Sequence, residues 1–484
     1  AAPILYAVWK ELGVLSDADL LTYRQFNSPL EGHPTLRFAY AEAATGSLGT
    51  GLSIGVGEAL CAKLDKRDYF TYILLGDSEM SEGSIWEALQ IAAFYKLDNI
   101  IGIIDCNRLG QSTPTMEALE GDAAERFARM VKSFGWKPIM VNGHDIEALD
   151  RAFKKARRAS QPVMIIASTK KGYGVDVVED KEGWHGQVLK PADADKALTS
   201  LAQRFASAAA YSGKNYMPAL PKKKEVPAGN LTCVMPAPLY KRHEEIPTRK
   251  AYGQALVALG GRCKEVISLD AEVKNSTYAE LFEQKYPERF FQCFIAEQNM
   301  VSMGIGFARR GKIPFISTFG CFFTRAHDQI RMGAIGTSPL RLVGSHAGVS
   351  IGQDGPSQMA LEDIAMMRTL PESIVLYPSD AVSTYKLVEQ MAHYNRGISY
   401  LRTTRMATPV IYDTNEQFPV GGCKVIRQSP KDQVCVIGAG ITLHEALKAY
   451  EQLKKDTIMI AVIDLYSLKP FDITTIRAMA QATQ

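Results

Sequence analysis

The sequence has no apolar run approaching the roughly eighteen residues that a membrane-spanning helix needs, so no segment is expected to cross a bilayer. It has no excess of charge of either sign: 55 Lys and Arg face 52 Asp and Glu, a net charge of +3. That balance gives no case for a nucleic-acid or membrane-surface partner, and only a slight lean towards anionic small molecules. The eight cysteines form no Cys-x-x-Cys pair, and Cys106 and Cys435 sit in apolar runs. They read as reduced, buried thiols of a cytoplasmic protein. Three tempting motifs each lack a necessary part. The glycines from Gly46 to Gly57 do not follow the dinucleotide spacing. Gly306-x4-Gly311-Lys312 ends in Ile313 rather than Ser or Thr and follows a helical pattern, so it is not a phosphate loop. Gly348-Val349-Ser350-Ile351-Gly352 has no helix directly behind Ser350, which argues against a hydrolase nucleophile.

What is present is a chain of 484 residues, too long for one core, with an ordinary 46% of hydrophobic residues to fill two or three. Two stretches organise it. Tyr72-Ile73-Leu74-Leu75-Gly76-Asp77 and Ile103-Ile104-Asp105-Cys106-Asn107 both start as buried-strand patterns and end in oxygen-bearing residues. Between them, Ser84 to Leu97 carries apolar residues at helical spacing. A strand–helix–strand unit of this kind aligns its two strand C-termini, the edge where ligands of open α/β sheets bind. Asp77, the Asn107 side-chain oxygen and the Leu109 carbonyl can there share a hard cation. From spacing alone, the same residues read equally well as a turn and a helix cap.

Gly-Asp-x-Glu at residues 76–79, with Asn107 about thirty residues on, is similar to the thiamine-diphosphate signature, and its surroundings resemble an animal-type transketolase. The resemblance extends along the chain through Ala44-Thr45-Gly46-Ser47-Leu48-Gly49, Trp184-His185-Gly186, Thr248-Arg249-Lys250-Ala251-Tyr252-Gly253, Ile295-Ala296-Glu297-Gln298-Asn299 and Asp354-Gly355-Pro356-Ser357-Gln358. It implies the thiamine-diphosphate-binding fold: two doubly wound, mainly parallel α/β sheets and a partial third α/β domain. The expected division is a diphosphate-binding domain over 1–230, a linker over 231–245, a pyrimidine-binding domain over 246–412 and part of a C-terminal domain over 413–484. Pro218, Pro221, Pro227, Pro236, Pro238 and Lys222-Lys223-Lys224 mark the linker region. Against the family pattern the chain is expected to be a fragment lacking both ends, since it opens Ala1-Ala2-Pro3 and stops inside the third domain.

The resemblance also implies an activity and its residues. The cofactor is thiamine diphosphate with Mg²⁺ or Ca²⁺, and the reaction moves a two-carbon ketol unit from a ketose phosphate to an aldose phosphate, as in the pentose phosphate pathway. Gly46, Leu48, Asp77, Ser78, Asn107, Lys171, His185, Phe322 and Gln358 are implied around the cofactor, with Asp77, Asn107 and Leu109 on the metal. Glu297 is implied to protonate the pyrimidine ring, aided by an apolar strand end at Phe294–Glu297. His33, His185 and His346 face the reacting sugar, and Arg249, Ser276, Asp354 and Arg405 bind its phosphate and hydroxyls. Glu82 and Glu87 join paired sites in an obligate homodimer, where the diphosphate half of one subunit meets the pyrimidine half of the other. Two positions depart from the family: Ser78 replaces its second signature glycine, and Gln187 stands where Lys is usual. Two other readings stay open, a catalytically impaired dimer partner and a 1-deoxyxylulose-5-phosphate synthase. His33, Trp184-His185-Gly186 and the Arg249/Arg405 pair argue against the second.

Overall fold

The computed structural model describes residues 2–207 and 233–483. The expectations placed on Pro218, Pro221, Pro227 and Lys222–Lys224 lie outside the described residues. The chain falls into two compact units, Ala1–Ala41 with Thr45–Lys224, and Glu42–Ala44 with Glu225–Gln484.

The first unit is built on a four-stranded parallel sheet. Its strands are β1 (Thr71–Gly76), β2 (Ile100–Cys106), β3 (Lys137–Asn142) and β4 (Val163–Ser168), in the order β1-β2-β4-β3. Ile101, Ile139, Val163 and Ile165 are buried together against Ala152 and Ala156. Each such isoleucine contributes about 2 kcal/mol by leaving water. Helix α1 (Thr50–Leu64) packs on β1 at a glycine: a Cβ at Gly55 would come within 2.6 Å of Ile73. Helix α2 (Gly83–Phe94) crosses from β1 to β2 as the sequence pattern predicts. The β1–β2 register sets Gly76 opposite Asp105, so the residues just beyond both strands share one edge.

The second unit holds a seven-stranded sheet. In chain order its strands are β5 (Val266–Asp270), β6 (Phe290–Gln292), β7 (Ile313–Phe319), β8 (Arg341–Ser345), β9 (Ile374–Leu376) and β10 (Ser399–Arg402). A separate three-stranded sheet follows, β11 (Lys424–Arg427), β12 (Val434–Gly438) and β13 (Ile460–Asp464). The last strand, β14 (Ser467–Lys469), then returns to the large sheet, whose order is β14-β9-β10-β8-β7-β5-β6. All its pairings are parallel except β9 with β14. Helix α3 (Thr248–Arg262) lies over one core of this unit with Ala251, Tyr252, Ala255, Leu256 and Leu259 fully buried.

Two expectations need correction here. The strand expected at Phe294–Glu297 falls instead on Phe290–Gln292. The ladder ends where Cys293 N–H donates to the Asp270 carbonyl at 2.9 Å, Phe294 turns left-handed at φ 55°, and Glu297 opens helix α4 (Glu297–Arg309). The cysteines are also less independent than the sequence suggests, because Cys233 and Cys263 lie side by side, with Cα atoms 5.7 Å apart. The end of α3 brings Cys263 to a segment thirty residues earlier, a closeness invisible in sequence spacing. Cys435 is half-buried rather than buried.

Candidate functional site

In the first unit the chemistry gathers at the C-terminal edge of β1 and β2. Asp77 is 2% exposed, and its carboxylate accepts the backbone N–H of Ser78 at 2.7 Å and that of Arg108 across the strand pair. Burial raises its pKa above the usual carboxylate range, the two amides oppose this, and nearby Asp105 adds to it. Asn107 donates to the Asp105 carbonyl at 3.4 Å, while its side-chain oxygen accepts Leu109 N–H at 3.1 Å. Lys171 Nζ donates to the carbonyls of Leu109 at 3.3 Å and Gly110 at 2.9 Å, and lies 3.1 Å from His185 Nδ1. Burial lowers the pKa of Lys171, and burial with the adjacent ammonium lowers that of His185. Asp77, Asn107, Leu109, Lys171 and His185 therefore form one connected set. Among the described residues no three His, Cys, Asp or Glu side chains converge as a metal cage.

Ser78 keeps its backbone amide but spends it on Asp77, and its hydroxyl lies 3.1 Å from where a Cβ on Gly110 would stand. Gly46, at φ 123°, passes close under exposed His33: a Cβ there would be 3.4 Å from that of His33. Leu48 is exposed in the same loop. Glu82 stands at the N-cap position of α2 without a side-chain cap bond, and the helix carries Glu87 in its second turn.

The sequence pattern includes Glu79 but assigns it no task. One of its carboxylate oxygens accepts Gly49 N–H at 2.8 Å and the other Gly76 N–H at 3.0 Å. The Gly49 carbonyl in turn accepts from Ser84 Oγ at 3.1 Å. Glu79 and Ser84 thus hold Gly49, in the loop before α1, through its N–H and its carbonyl, and Glu79 ties that loop to the Asp77 turn. Gly49 sits at φ 82°, and a Cβ on it would lie 2.6 Å from Ser84 Oγ, so only glycine fits.

In the second unit three rings form a stack. Phe319 lies between His346, with centroids 3.6 Å apart, and Phe322, at 5.0 Å and nearly parallel. Phe322 is half-buried and offers its outer face, while Phe323 is an ordinary core ring, fully buried edge-on to Tyr400. Glu297 is 4% exposed, and its Oε2 lies 3.4 Å from Nε of Arg325, a partner from the same turn as Phe322. Sequence spacing gave no reason to single out Arg325.

The other end of this half-site is cationic. Arg249 Nη1 donates to the Ser276 carbonyl at 2.8 Å, and Arg405 Nη1 pairs with Asp354. It is thus the main chain of Ser276, not its hydroxyl, that meets Arg249. His346 Nδ1 is 2.9 Å from Ser345 Oγ. Burial, with the positive fields of Arg249 and Arg405, holds His346 down at about 4, so it is neutral at physiological pH. Gln358 lies beyond Asp354 on the same loop, half-buried. The structure therefore brings Arg249, Ser276, His346, Asp354 and Arg405 into one neighbourhood.

Comparison with known proteins agrees with this arrangement of parts. Three family models match in succession: "Transketolase, thiamine diphosphate binding domain" over residues 1–208, "Transketolase, pyrimidine binding domain" over 244–410, and "Transketolase, C-terminal domain" over 423–484. The transketolase of Homo sapiens is 49% identical over 488 residues, covering 100% of this chain and 76% of its own length. Transketolase-like protein 2 of Mus musculus is also 49% identical, over 489 residues with the same coverage. Among solved structures, a transketolase from Campylobacter jejuni superposes with a TM-score of 0.81 at 22% identity, covering 98% of this chain and 80% of that one. One from Leishmania mexicana gives 0.78 at 22% identity, over 98% and 78%. Those two likenesses concern the fold. No helix among the described residues is long and apolar enough to cross a membrane.

Proposed function

The chain belongs to the transketolase family, and on that premise we propose that its two half-sites bind thiamine diphosphate through a divalent cation and move a two-carbon ketol unit between sugar phosphates. The observation that carries the proposal is the β1–β2 edge. A buried carboxylate with a raised pKa, held by backbone amides beside a second carboxylate, calls for a cation. Asp77, the Asn107 oxygen and the Leu109 carbonyl would hold that cation, Mg²⁺ or Ca²⁺, through oxygen. Lys171 and His185 would meet the diphosphate, with Gly46 and Leu48 giving it close backbone approach. The outer face of Phe322 fits an aromatic ring.

Bound thiamine diphosphate supplies the electron sink for the carbon–carbon bond changes. This chain's residues supply the rest. Glu297 holds and moves a proton at the pyrimidine ring, and Gln358 lies alongside. Arg249 and Arg405 orient the sugar phosphate by guanidinium hydrogen bonds. His346, kept neutral, donates or accepts at a sugar hydroxyl without adding charge, with Asp354 beside it. His33 and His185 face the reacting carbons. In this proposal the diphosphate-binding, pyrimidine-binding and C-terminal parts divide near 230, 245 and 412, and the active form is a cytoplasmic homodimer linked through Glu82 and Glu87.

The test is a calorimetric titration with thiamine diphosphate and Mg²⁺, followed by a ketol-transfer assay on ketose and aldose phosphates. Tight metal-dependent binding and transfer support the proposal; absence of metal-dependent binding refutes it. A second reading, a dimer partner with impaired catalysis, draws support from the Ser78 amide that Asp77 occupies. Cofactor binding without transfer, together with activity gained on mixing with an active relative, would favour it.

A further inference from the structure

Asp270 ends β5, is fully buried, and has no part in the chemistry above. Its Oδ1 accepts Val273 N–H at 2.7 Å, and its Oδ2 accepts the Thr277 hydroxyl at 2.7 Å. These bonds fold the chain leaving β5 into the short helix Lys274–Thr277. Thr277 Oγ1 also receives Ala279 N–H at 3.3 Å, so the carboxylate governs the turn on both sides of Tyr278. Burial raises the pKa of Asp270 to about 7 while the two donors pull it down, so each donor is worth keeping.

The turn so fixed grips Arg249 twice. The Ser276 carbonyl takes Nη1 at 2.8 Å, and the Tyr278 ring lies 5.3 Å from the guanidinium carbon. Tyr278 is itself held left-handed, at φ 63°. The turn sits so close to α3 that a Cβ on Gly253, one helical turn past Arg249, would lie 2.4 Å from the Tyr278 carbonyl. Arg249 Nε is buried without a hydrogen-bond partner among the described residues. A guanidinium held at two points and left with spare donors is pre-organised to donate to the oxygens of a phosphate group.

We infer that Asp270 is a positioning residue for sugar-phosphate recognition, acting through Thr277 to set the Ser276–Tyr278 turn that aims Arg249. The inference rests on the phosphate role proposed above for Arg249. It concerns the binding of a phosphorylated substrate rather than the chemical step, and that separation makes it testable.

Steady-state kinetics of the full chain, loaded with cofactor, compare a ketose phosphate with the unphosphorylated ketose of the same length. Thr277→Val, nearly isosteric but lacking the hydroxyl, is expected to raise KM for the phosphorylated donor roughly tenfold. Its kcat and its KM for the unphosphorylated donor should stay within about twofold of the parent, and Thr277→Ser should restore the parent value. Asp270→Asn gives the same discrimination by a second route, and the inhibition constant of inorganic phosphate should rise in parallel. Equal losses on both donors, or no loss on either, in folded Thr277→Val and Asp270→Asn would overturn the positioning role. An Arg249→Ala enzyme that still discriminates between the donors as the parent does would refute the proposed role of Arg249, and this inference with it. If Arg249→Ala loses discrimination while both upstream variants keep it, only the inference falls.

Discussion

Arg325 Nε lies 3.4 Å from the carboxylate of Glu297, joining the turn that carries the aromatic shelf to the first residue of α4. Glu297 is buried and Arg325 largely exposed, so the pair ties an interior acid to the surface of the site. The carboxylate also lies in the first turn of a thirteen-residue helix, where the helix dipole favours negative charge. Its surroundings are therefore more polar than the apolar strand end expected from Ile295-Ala296-Glu297.

Glu297→Gln keeps the side chain's volume and hydrogen bonding but cannot carry a proton. It is expected to bind cofactor with unchanged affinity and to slow exchange of the thiazolium C2 proton by about 10²–10⁴-fold. Arg325→Ala, which removes only an exposed partner, should slow it by less than about tenfold. Quenched proton–deuterium exchange followed by NMR reads both. Parent-like exchange in Glu297→Gln would remove this residue from the chemistry.

For the first half-site, Asp77→Ala is expected to abolish metal-dependent cofactor binding with little loss of fold, since the residue lies just beyond β1 at a ligand edge. Titration calorimetry and circular dichroism together check it. Unchanged affinity would leave the edge without a metal role.

Glu79→Gln tests the tie between the glycine loop and the Asp77 turn. Gln offers one acceptor oxygen where Glu79 uses two, so one of the Gly49 and Gly76 amides loses its partner. Such a loss costs about 1–3 kcal/mol, and cofactor affinity should fall by roughly tenfold or more. Ser84→Ala should act in the same direction and, combined with Glu79→Gln, less than additively. Full additivity would mean that the two do not act together on Gly49.

These residues divide by how far the sequence could expose them. Asp77 and Asn107 were legible because two buried runs with a helix between them leave little choice: parallel strands in register bring their ends together. Glu297 was placed in the right region but on the wrong element, because a single left-handed residue, Phe294, ends an extended run that composition would continue. Glu79, Arg325 and Asp270 act through contacts with backbone or side chains set by tertiary packing, and no periodicity announces those. The closeness of Cys233 and Cys263 stayed hidden for the same reason, since the two meet only once α3 is docked.

Stability should depend on pH through a second buried carboxyl. Asp464 is fully buried at the end of β13, accepts from Tyr412 OH at 2.6 Å and Ser379 Oγ at 2.7 Å, and lies near Asp380. Burial raises its pKa to about 7. The folded state therefore keeps a proton that the unfolded chain has released above about pH 4. This contribution is complete below about pH 4, wanes as pH rises, and is lost once pH passes about 7. Asp270 adds in the same sense. The thermal midpoint is expected to be higher at pH 5.5 than at pH 8, and Asp464→Asn should reduce the difference. Calorimetric scans at the two pH values decide it; a midpoint that rises with pH in the parent and is unaffected by the substitution would refute the assignment.

The antiparallel strand β14 has a bearing on how this protein can be taken apart. It lies within the region matched by the C-terminal family model, yet it hydrogen-bonds to β9 in the region matched by the pyrimidine-binding one, with Val375 opposite Lys469 and Leu376 opposite Ser467. Lys469 Nζ reaches further, donating to the Arg368 carbonyl at 2.9 Å and to Ser373 Oγ at 2.8 Å. The strand works as a clasp, so these two regions are not interchangeable cassettes. A chimaera joined between them must carry matching halves of the clasp, or it leaves the edge of the large sheet bare and open to self-association.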